Sequence, residues 1–600
     1  MINSSDCGLA KMHQWVTVAG CLLLWSSMLF FGARTGEGST FSPLPDPTYS
    51  HKLPLPILPV TEKVRQIIYP VVGFPALVVA GETLTAVVST ADGGETRDWA
   101  MQISTHDRVS QTYTLGNVTS RYDNVSGCYS IEGIIPPRVP RDVFDLIISS
   151  AALHLADMQP NAVRVITTVS NDFRFVQVTD LHFGDPRGLL VSSPQENKHA
   201  PPLTIIRQIL TEISFLDPEF ILFSGDLVFG GPYYREYPWA WETLSSFSLA
   251  TFMVPGNHDG YASGGGLVRD GLRYWEQVIG PPYYSFDYGD KLHFTCINTY
   301  DGSLSQRDGV SFIVQKWGGT LSQEQMEWLE GDVEEASLEE RNTVIVGHHD
   351  PRGNVHRLGG EDNPADEDND GYAEAGEIID TLFPQVWNDR ESGEAIVQFV
   401  REQNALRETD PDRGGISHIF LGHLHSDFVD RDEESNTWWV HTTSAGSSTN
   451  SRDDFWGYRV IEVEDDQIVR VNRTAPEGEA IPPGDNDPTN NQNGDYQSYA
   501  GNTIAITTTQ GRNDGTSTLV EQEVANALDT GVSGVLKFFM PRLAGEDSAH
   551  NNYGYHLSGG AIRAIVRSGT DGSGDRLVFY VETEVDPDDR KRVTLQQSVP

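Results

Sequence analysis

An α/β domain set between two β-rich regions is the architecture this sequence predicts. Three observations predict it: strands alternate with helical segments over 171–475, both flanks alternate apolar and polar residues between glycine and proline turns, and a run poor in apolar residues precedes the last region. The boundaries fall at 1–36 for an apolar leader, 37–170 for a β-sandwich, 171–475 for the α/β domain, 476–500 for a linker and 501–600 for an all-β domain. Six hundred residues, 38% of them hydrophobic, suffice for several cores at about 100 to 200 residues per domain.

The formal charge is −43, from 42 Lys plus Arg against 85 Asp plus Glu, and no basic cluster interrupts it. Holding a nucleic-acid duplex by its phosphates needs concentrated cations, so duplex binding is not expected. Nothing in the sequence selects an oligomeric state.

Trp15 to Ala33 carries no charge and follows Lys11, the pattern of an export segment. Its length also suits a retained membrane anchor, since about 17 to 25 apolar residues span a bilayer. Either reading places the protein outside the cytoplasm: secreted, periplasmic or membrane-anchored. The sequons at Asn117, Asn124 and Asn472 agree with export. Cys7 and Cys21 lie in or before the leader, and Cys128 and Cys296 fall in different predicted domains, so no disulfide framework is expected.

In the sandwich region, ALVVAGETLTAVVST, WAMQIST, VFDLIIS and AVRVITTVS read as strands. The pattern then changes. FRFVQVT (173–179), EFILFSG (219–225), LATFMVPG (249–256) and TVIVGHH are strands; 203–216 repeats apolar residues at the helical period through Ile205, Ile206, Ile209, Leu210, Ile213 and Leu216. A helix is also expected over 237–247, and another after Ser322, which has Gln325 three residues on, a capping-box spacing. Beyond the linker, NTIAITTT, GVLKFFM, AIRAIVRS and RLVFYVETEV are again strand-like.

Chemistry gathers at the strand ends of the α/β region. Asp180 and His182, then Asp226, then Asn257 and His258, then His348, then His423 and His425 stand at five successive exits from buried strands. One such residue is weak evidence; polar metal-binding types recurring at every exit are strong evidence of a shared site. Residues two apart project to the same side of an extended chain, so each D-x-H or H-x-H pair is expected to converge.

The ordered set D-x-H, G-D, G-N-H-D, G-H-H, G-H-x-H over about 173–473 resembles the calcineurin-like metallophosphoesterases. That resemblance implies a four-layer α/β sandwich and a two-metal hydrolase acting on phosphomonoesters or phosphodiesters. Carried over by motif, it gives one ion to Asp180, His182, Asp226 and His425, and the other to Asp226, Asn257, His348 and His423, with Asp226 bridging. It gives His258 the role of stabilising the pentacoordinate state or protonating the leaving oxygen. Asp259 then either orients His258 or caps a turn. Carboxylate, amide and imidazole ligands without thiolate suit Mn, Fe or Zn, and two such ions clamp an in-line displacement by a bridging hydroxide.

Departures bear on the substrate. His182 stands where purple acid phosphatases carry glycine, so a tyrosinate iron centre is not expected. Asp350 replaces a proline common among relatives, and the neighbouring His349 and Arg352 are read as either substrate contacts or structural residues.

Between the fourth and fifth motifs, Asp366, Asp368, Asp370, Tyr372, Glu374 and Glu377 match the positions of an EF-hand-type calcium loop, with Ala373 where a larger apolar residue is usual. A solvated acidic run is the alternative. Two rivals to the phosphoesterase reading are a cell-surface calcium-dependent binding protein that keeps the scaffold, and a nucleotidase-like enzyme. The presence of every expected ligand together with His258 favours catalysis over a scaffold.

Overall fold

The computed structural model describes residues 66–90, 98–185, 202–263, 269–307, 317–352, 387, 390–425, 428–446, 457–469, 497–500, 503–528, 530–543 and 554–598. The apolar leader, the acidic loop 366–377 and the linker as far as 496 lie outside these residues. Among the described residues no helix is long and apolar enough to cross a membrane.

The fold is mixed α/β, with many strands and few helices. Two six-stranded sheets form the middle of the chain. In the first, Thr251–Val254, Ile221–Ser224 and Phe173–Val178 run parallel, and Gly457–Glu464 pairs antiparallel with the last of them. In the second, Leu292–Cys296, Asn342–Val346, Ile416–Leu421 and Trp438–His441 are parallel, flanked by Tyr284–Tyr288 and Phe428–Arg431 antiparallel. Ile221–Ser224 and Thr251–Val254 are buried at every residue, as a parallel strand covered on both faces must be.

Aromatic rings join the facing sides of the two sheets. Phe252 stacks on Phe286 at 3.6 Å, and Phe175 meets Phe294 and Phe420 edge-on at 5.8 and 5.7 Å. Outside the first sheet, helix Pro202–Leu216 packs through Ile205, Ile206, Ile209 and Ile213. Outside the second, Gln323–Leu338 and Arg390–Thr409 pack through Leu329, Val333, Ile396 and Val400. The order is therefore helices, sheet, sheet, helices. Ser322 caps its helix by accepting from the Gln325 amide at 3.2 Å, but the buried Gln325 side chain turns away from the cap to clamp the backbone N–H and carbonyl of Asn298. The helix expected over 237–247 begins earlier, at Tyr233, because Glu236 accepts from the amides of Gly230 and Gly231 and ties down a first turn before Pro238.

The N-terminal region holds a four-stranded sheet and a second sheet whose sixth strand, Gly569–Thr570, comes from the far end of the chain and pairs with Gln111 and Thr112. The C-terminal strands form four- and three-stranded sheets. Read as separate flanks in the sequence, the two ends in fact lock together. The Tyr580 hydroxyl donates to Asp142 at 2.8 Å and accepts from Gln111 at 2.9 Å, while the Lys537 ammonium lies 2.7 Å from Asp142 and 2.9 Å from Asp107. At the C-terminal end of the expected linker, Gln497–Ala500 is a strand added to Gly457–Glu464. Cys128 and Cys296 are buried free thiols.

Candidate metal centre

Every residue of the strand-end set lies just past a strand, at one end of the two sheets. Asp180 and His182 follow Phe173–Val178, Asp226 follows Ile221–Ser224, Asn257 and His258 open the turn Asn257–Gly260, His348 follows Asn342–Val346, and His423 and His425 follow Ile416–Leu421. The five exits are not successive, because the hairpin Tyr284–Cys296 intervenes and delivers Asn298 and Thr299 instead.

The local backbone corrects the extended-chain argument. Asp180, His182, Asp226, His423 and His425 adopt left-handed φ values of 55°, 48°, 58°, 68° and 50°. Each such residue costs of order 1–3 kcal/mol, and the strain persists only where the surroundings over-determine it. Here they do: the Asp180 amide bonds the Gly225 carbonyl at 2.9 Å and the His182 amide bonds the Asp226 carbonyl at 3.0 Å. Two glycines make room. A Cβ on Gly225, itself at φ 99°, would lie 2.4 Å from His348 Nδ1, and one on Gly256 would lie 2.2 Å from Asp226 Oδ1.

The side chains converge in overlapping groups whose donor atoms lie within 4.8 Å of one another: Asp180, His182 and His425; Asp180, Asp226 and His348; His182, Asp226 and His258; and His348, His349 and His423. Asp226 belongs to two of these groups, and His423 and His425 go to different ones. His425 Nε2 is 3.0 Å from Asp180 Oδ1 and 3.3 Å from His182 Nε2. His348 Nε2 is 3.2 Å from Asp226 Oδ2.

A cation fits this donor set. His348 Nδ1 bonds the Ser224 carbonyl at 2.7 Å, so its proton is committed there and Nε2 faces the Asp226 carboxylate as a buried atom with no hydrogen bond. A ring held through one nitrogen by a carbonyl, with the other aimed at a carboxylate, is the arrangement in which imidazole ligates metals. Without a cation a proton takes its place. Burial opposes it, but the Asp226 carboxylate raises His348 to about 9. Burial alone would raise Asp226, yet His348 and His258 beside it hold its carboxyl far below the usual carboxylate range. Burial also lowers His258, to about 4, leaving a neutral imidazole whose Nδ1 bonds the Phe229 carbonyl at 2.6 Å.

At three positions the structure bears on alternatives that the sequence left open. Asp259 does not orient His258; its carboxylate accepts from the amides of Leu227, Val228 and Gly256 at 3.1, 3.0 and 2.9 Å, because three buried loop N–H groups converge where the Asp226 and Asn257 loops meet. The Arg352 guanidinium is engaged by the protein itself: it grips Asp350 through Nε and Nη2, reaches Asp430 at 2.9 Å and stacks 4.2 Å over Trp439, which favours the structural alternative. Asp350, in the proline position, is the hub of that clip and also meets His441 Nε2 at 3.1 Å. His349 is fully buried beside the centre, not at its rim, and bonds Asn257 Oδ1 at 3.1 Å. Sequence reasoning missed Tyr261, whose hydroxyl accepts from Asn257 Nδ2 at 2.7 Å, and Thr299; only the helical spacing of Tyr261 from Asn257 hinted at the first. The acidic residues 366–377 lie outside the described residues.

Compared with known proteins, residues 173–427 match the family model described as calcineurin-like phosphoesterase. Among solved structures, the sulfate thiohydrolase SoxB of Thermus thermophilus, in complex with glycerol, aligns at 13% identity and a TM-score of 0.23, over 48% of this chain and 53% of that one. The chain thus spans about half the length of that protein. No curated protein matches.

Proposed function

We propose, from the match of residues 173–427 to the calcineurin-like phosphoesterase family model, that the protein hydrolyses a phosphomonoester or phosphodiester at a dinuclear metal centre, outside the cytoplasm. The observation that carries this is the overlap of the donor groups, in which Asp180, His182, Asp226 and His348 each belong to two, with the unbonded Nε2 of His348 buried against Asp226. One ion would be held by Asp180, His182, Asp226 and His425, the other by Asp226, Asn257, His348 and His423. When bound, Mn, Fe or Zn would polarise the phosphoryl oxygens and lower the pKa of water.

The chain's own residues supply the rest. The ring of His258 keeps 21% of its side chain exposed, the most open imidazole around Asp226, so it faces arriving substrate. With Nδ1 engaged by Phe229, its Nε2 is the atom that takes up a proton and passes it to the leaving oxygen. Left-handed backbone and interlocked loops hold the ligand side chains before any ion arrives, so little reorganisation remains at binding. The uncharged run Trp15–Ala33 supports export or anchoring.

The test is hydrolysis of an aryl phosphate monoester and diester by the purified protein, stripped with chelator and resupplied with Mn, Fe, Zn or Ca. Restoration by a transition metal but not by calcium is expected, with the preferred ester fixing the substrate class. A folded, metal-loaded protein that turns over neither ester would sink the proposal and favour the binding-protein reading.

A further inference from the structure

We propose that Thr299, His349 and Tyr261 form a relay that fixes the side-chain amide of Asn257 with its oxygen toward the metal centre, which makes His349 a positioning residue and not a ligand. The inference rests on the dinuclear reading above. Geometry alone leaves His349 ambiguous, because its ring nitrogens lie close enough to His348 and His423 to complete a three-imidazole metal group.

Hydrogen-bond directions remove the ambiguity. The Thr299 Oγ1 accepts from two backbone amides, His348 at 3.2 Å and His349 at 3.0 Å. A hydroxyl oxygen has two lone pairs, and both are then used. Its own O–H must therefore donate along the 2.8 Å contact to His349 Nδ1. A neutral imidazole that accepts at Nδ1 carries its proton at Nε2. That Nε2–H points at two acceptors, the Trp317 carbonyl at 2.9 Å and Asn257 Oδ1 at 3.1 Å. Both ring nitrogens are engaged, and no lone pair remains on His349 for a cation.

The same directions set the amide. If Asn257 were turned over, its NH2 would face the His349 N–H, donor against donor. With the oxygen there instead, Nδ2 donates to the Tyr261 hydroxyl at 2.7 Å. The carbonyl oxygen keeps a second lone pair for the centre. Tyr261 is 2% exposed and Asn257 1% exposed, so water does not compete for these bonds. Thr299 is delivered by the strand Leu292–Cys296, whose exit carries no ligand of its own. That strand exit, silent in the motif pattern, thus serves the centre at one remove.

Mn(II) alone, titrated into chelator-stripped protein and read by calorimetry and metal content, tests the relay. Wild-type protein is expected to hold two ions. Tyr261→Phe and His349→Ala should weaken one of the two by about 10- to 100-fold and leave the other unchanged, the usual effect of losing a bond behind a ligand. His349→Gln, whose amide N–H can stand in for Nε2–H, should restore the second ion, and circular dichroism should show all three variants folded. If both His349 variants lose an ion while Tyr261→Phe keeps two at wild-type affinity, His349 is a ligand and the relay is wrong. Wild-type affinities in both Tyr261→Phe and His349→Ala also overturn it. A wild-type protein that holds only one ion overturns the dinuclear reading itself, a result distinct from either.

Discussion

Two places in this domain bury histidine among carboxylates, and they are built in opposite ways. His293, in the middle of the strand Leu292–Cys296, sits between Asp287 at 2.6 Å and Asp332 at 2.9 Å, and Asp332 also accepts from Thr295 and Ser285 at 2.8 and 2.6 Å. Both ring nitrogens are bonded and the backbone is ordinary strand. At the strand exits, His348 Nε2 has no hydrogen bond, His182 and His425 bring two Nε2 atoms to 3.3 Å, and five residues take left-handed φ. Both draw on histidine and aspartate. What separates a structural ion cluster from a candidate metal centre is open valence, held at strand ends by strained loops.

The largest expected difference follows from one isosteric change in each place. Asp226→Asn should remove activity by on the order of 10³-fold or more while the fold survives, because this carboxylate belongs to two of the overlapping donor groups and, in the proposed centre, would serve both ions. Its counterpart, Asp332→Asn, should leave kcat/KM per folded molecule unchanged within a factor of about 2 and destabilise the fold by about 3 kcal/mol, the cost of stranding one half of a buried charge pair. Denaturant melts and steady-state rates on both variants check this. A stable Asp332→Asn protein, or an inactive but folded one, would erase the distinction.

Titration sharpens the contrast next. Burial lowers His293, but Asp332 and Asp287 outweigh it and raise the ring from 6.5 to about 10. A folded-state value above the unfolded one contributes stability fully present below about pH 6.5 and lost as pH rises through 10. Stability should therefore fall between pH 7 and 10, and that slope should flatten in His293→Gln. Metal addition is expected to act on the other cluster alone. Saturating Mn(II) at about 100 times Kd should stabilise wild-type protein and His293→Gln alike by about 3 kcal/mol and leave Asp226→Asn far less affected, as melts with and without chelator would read.

The contrast also marks where the sequence stops being informative. Buried parallel strands and the helix Pro202–Leu216 were legible because their apolar residues recur at fixed periods. The ligand set was legible because polar residues at exits of such strands have no packing reason to be there. Left-handed backbone at Asp180 and His423 leaves no such mark, since aspartate and histidine adopt it more often than most residues but still at a minority of positions. Asp259 reads identically as an orienter of His258 or as a cap for Leu227, Val228 and Gly256; only the loop positions decide. The pairing of Gly569–Thr570 with Gln111–Thr112 joins segments too far apart along the chain for any local pattern to record.

Arg352 gives an intermediate effect. Its grip on Asp350 is 5% exposed, so Arg352→Ala should cost about 2 kcal/mol of stability with KM unchanged, whereas a raised KM at full stability would return it to the substrate.

The smallest effect is the control for all of these. Lys291 and Glu340 form an ion pair at 2.9 Å, with side chains 46% and 58% exposed, close in sequence to the His293 cluster. Its separation matches that of His293 from Asp332, 2.9 Å in both. Water and salt screen the exposed pair, and two long side chains lose rotamer freedom in making it. Lys291→Ala should therefore shift stability by less than about 0.5 kcal/mol. Any residual shift should vanish in high salt, while the loss in Asp332→Asn persists there. If the exposed pair proved as costly to remove as the buried one, burial would not be what distinguishes these clusters, and the difference between the closed and open sites would have to rest on strand-exit geometry alone.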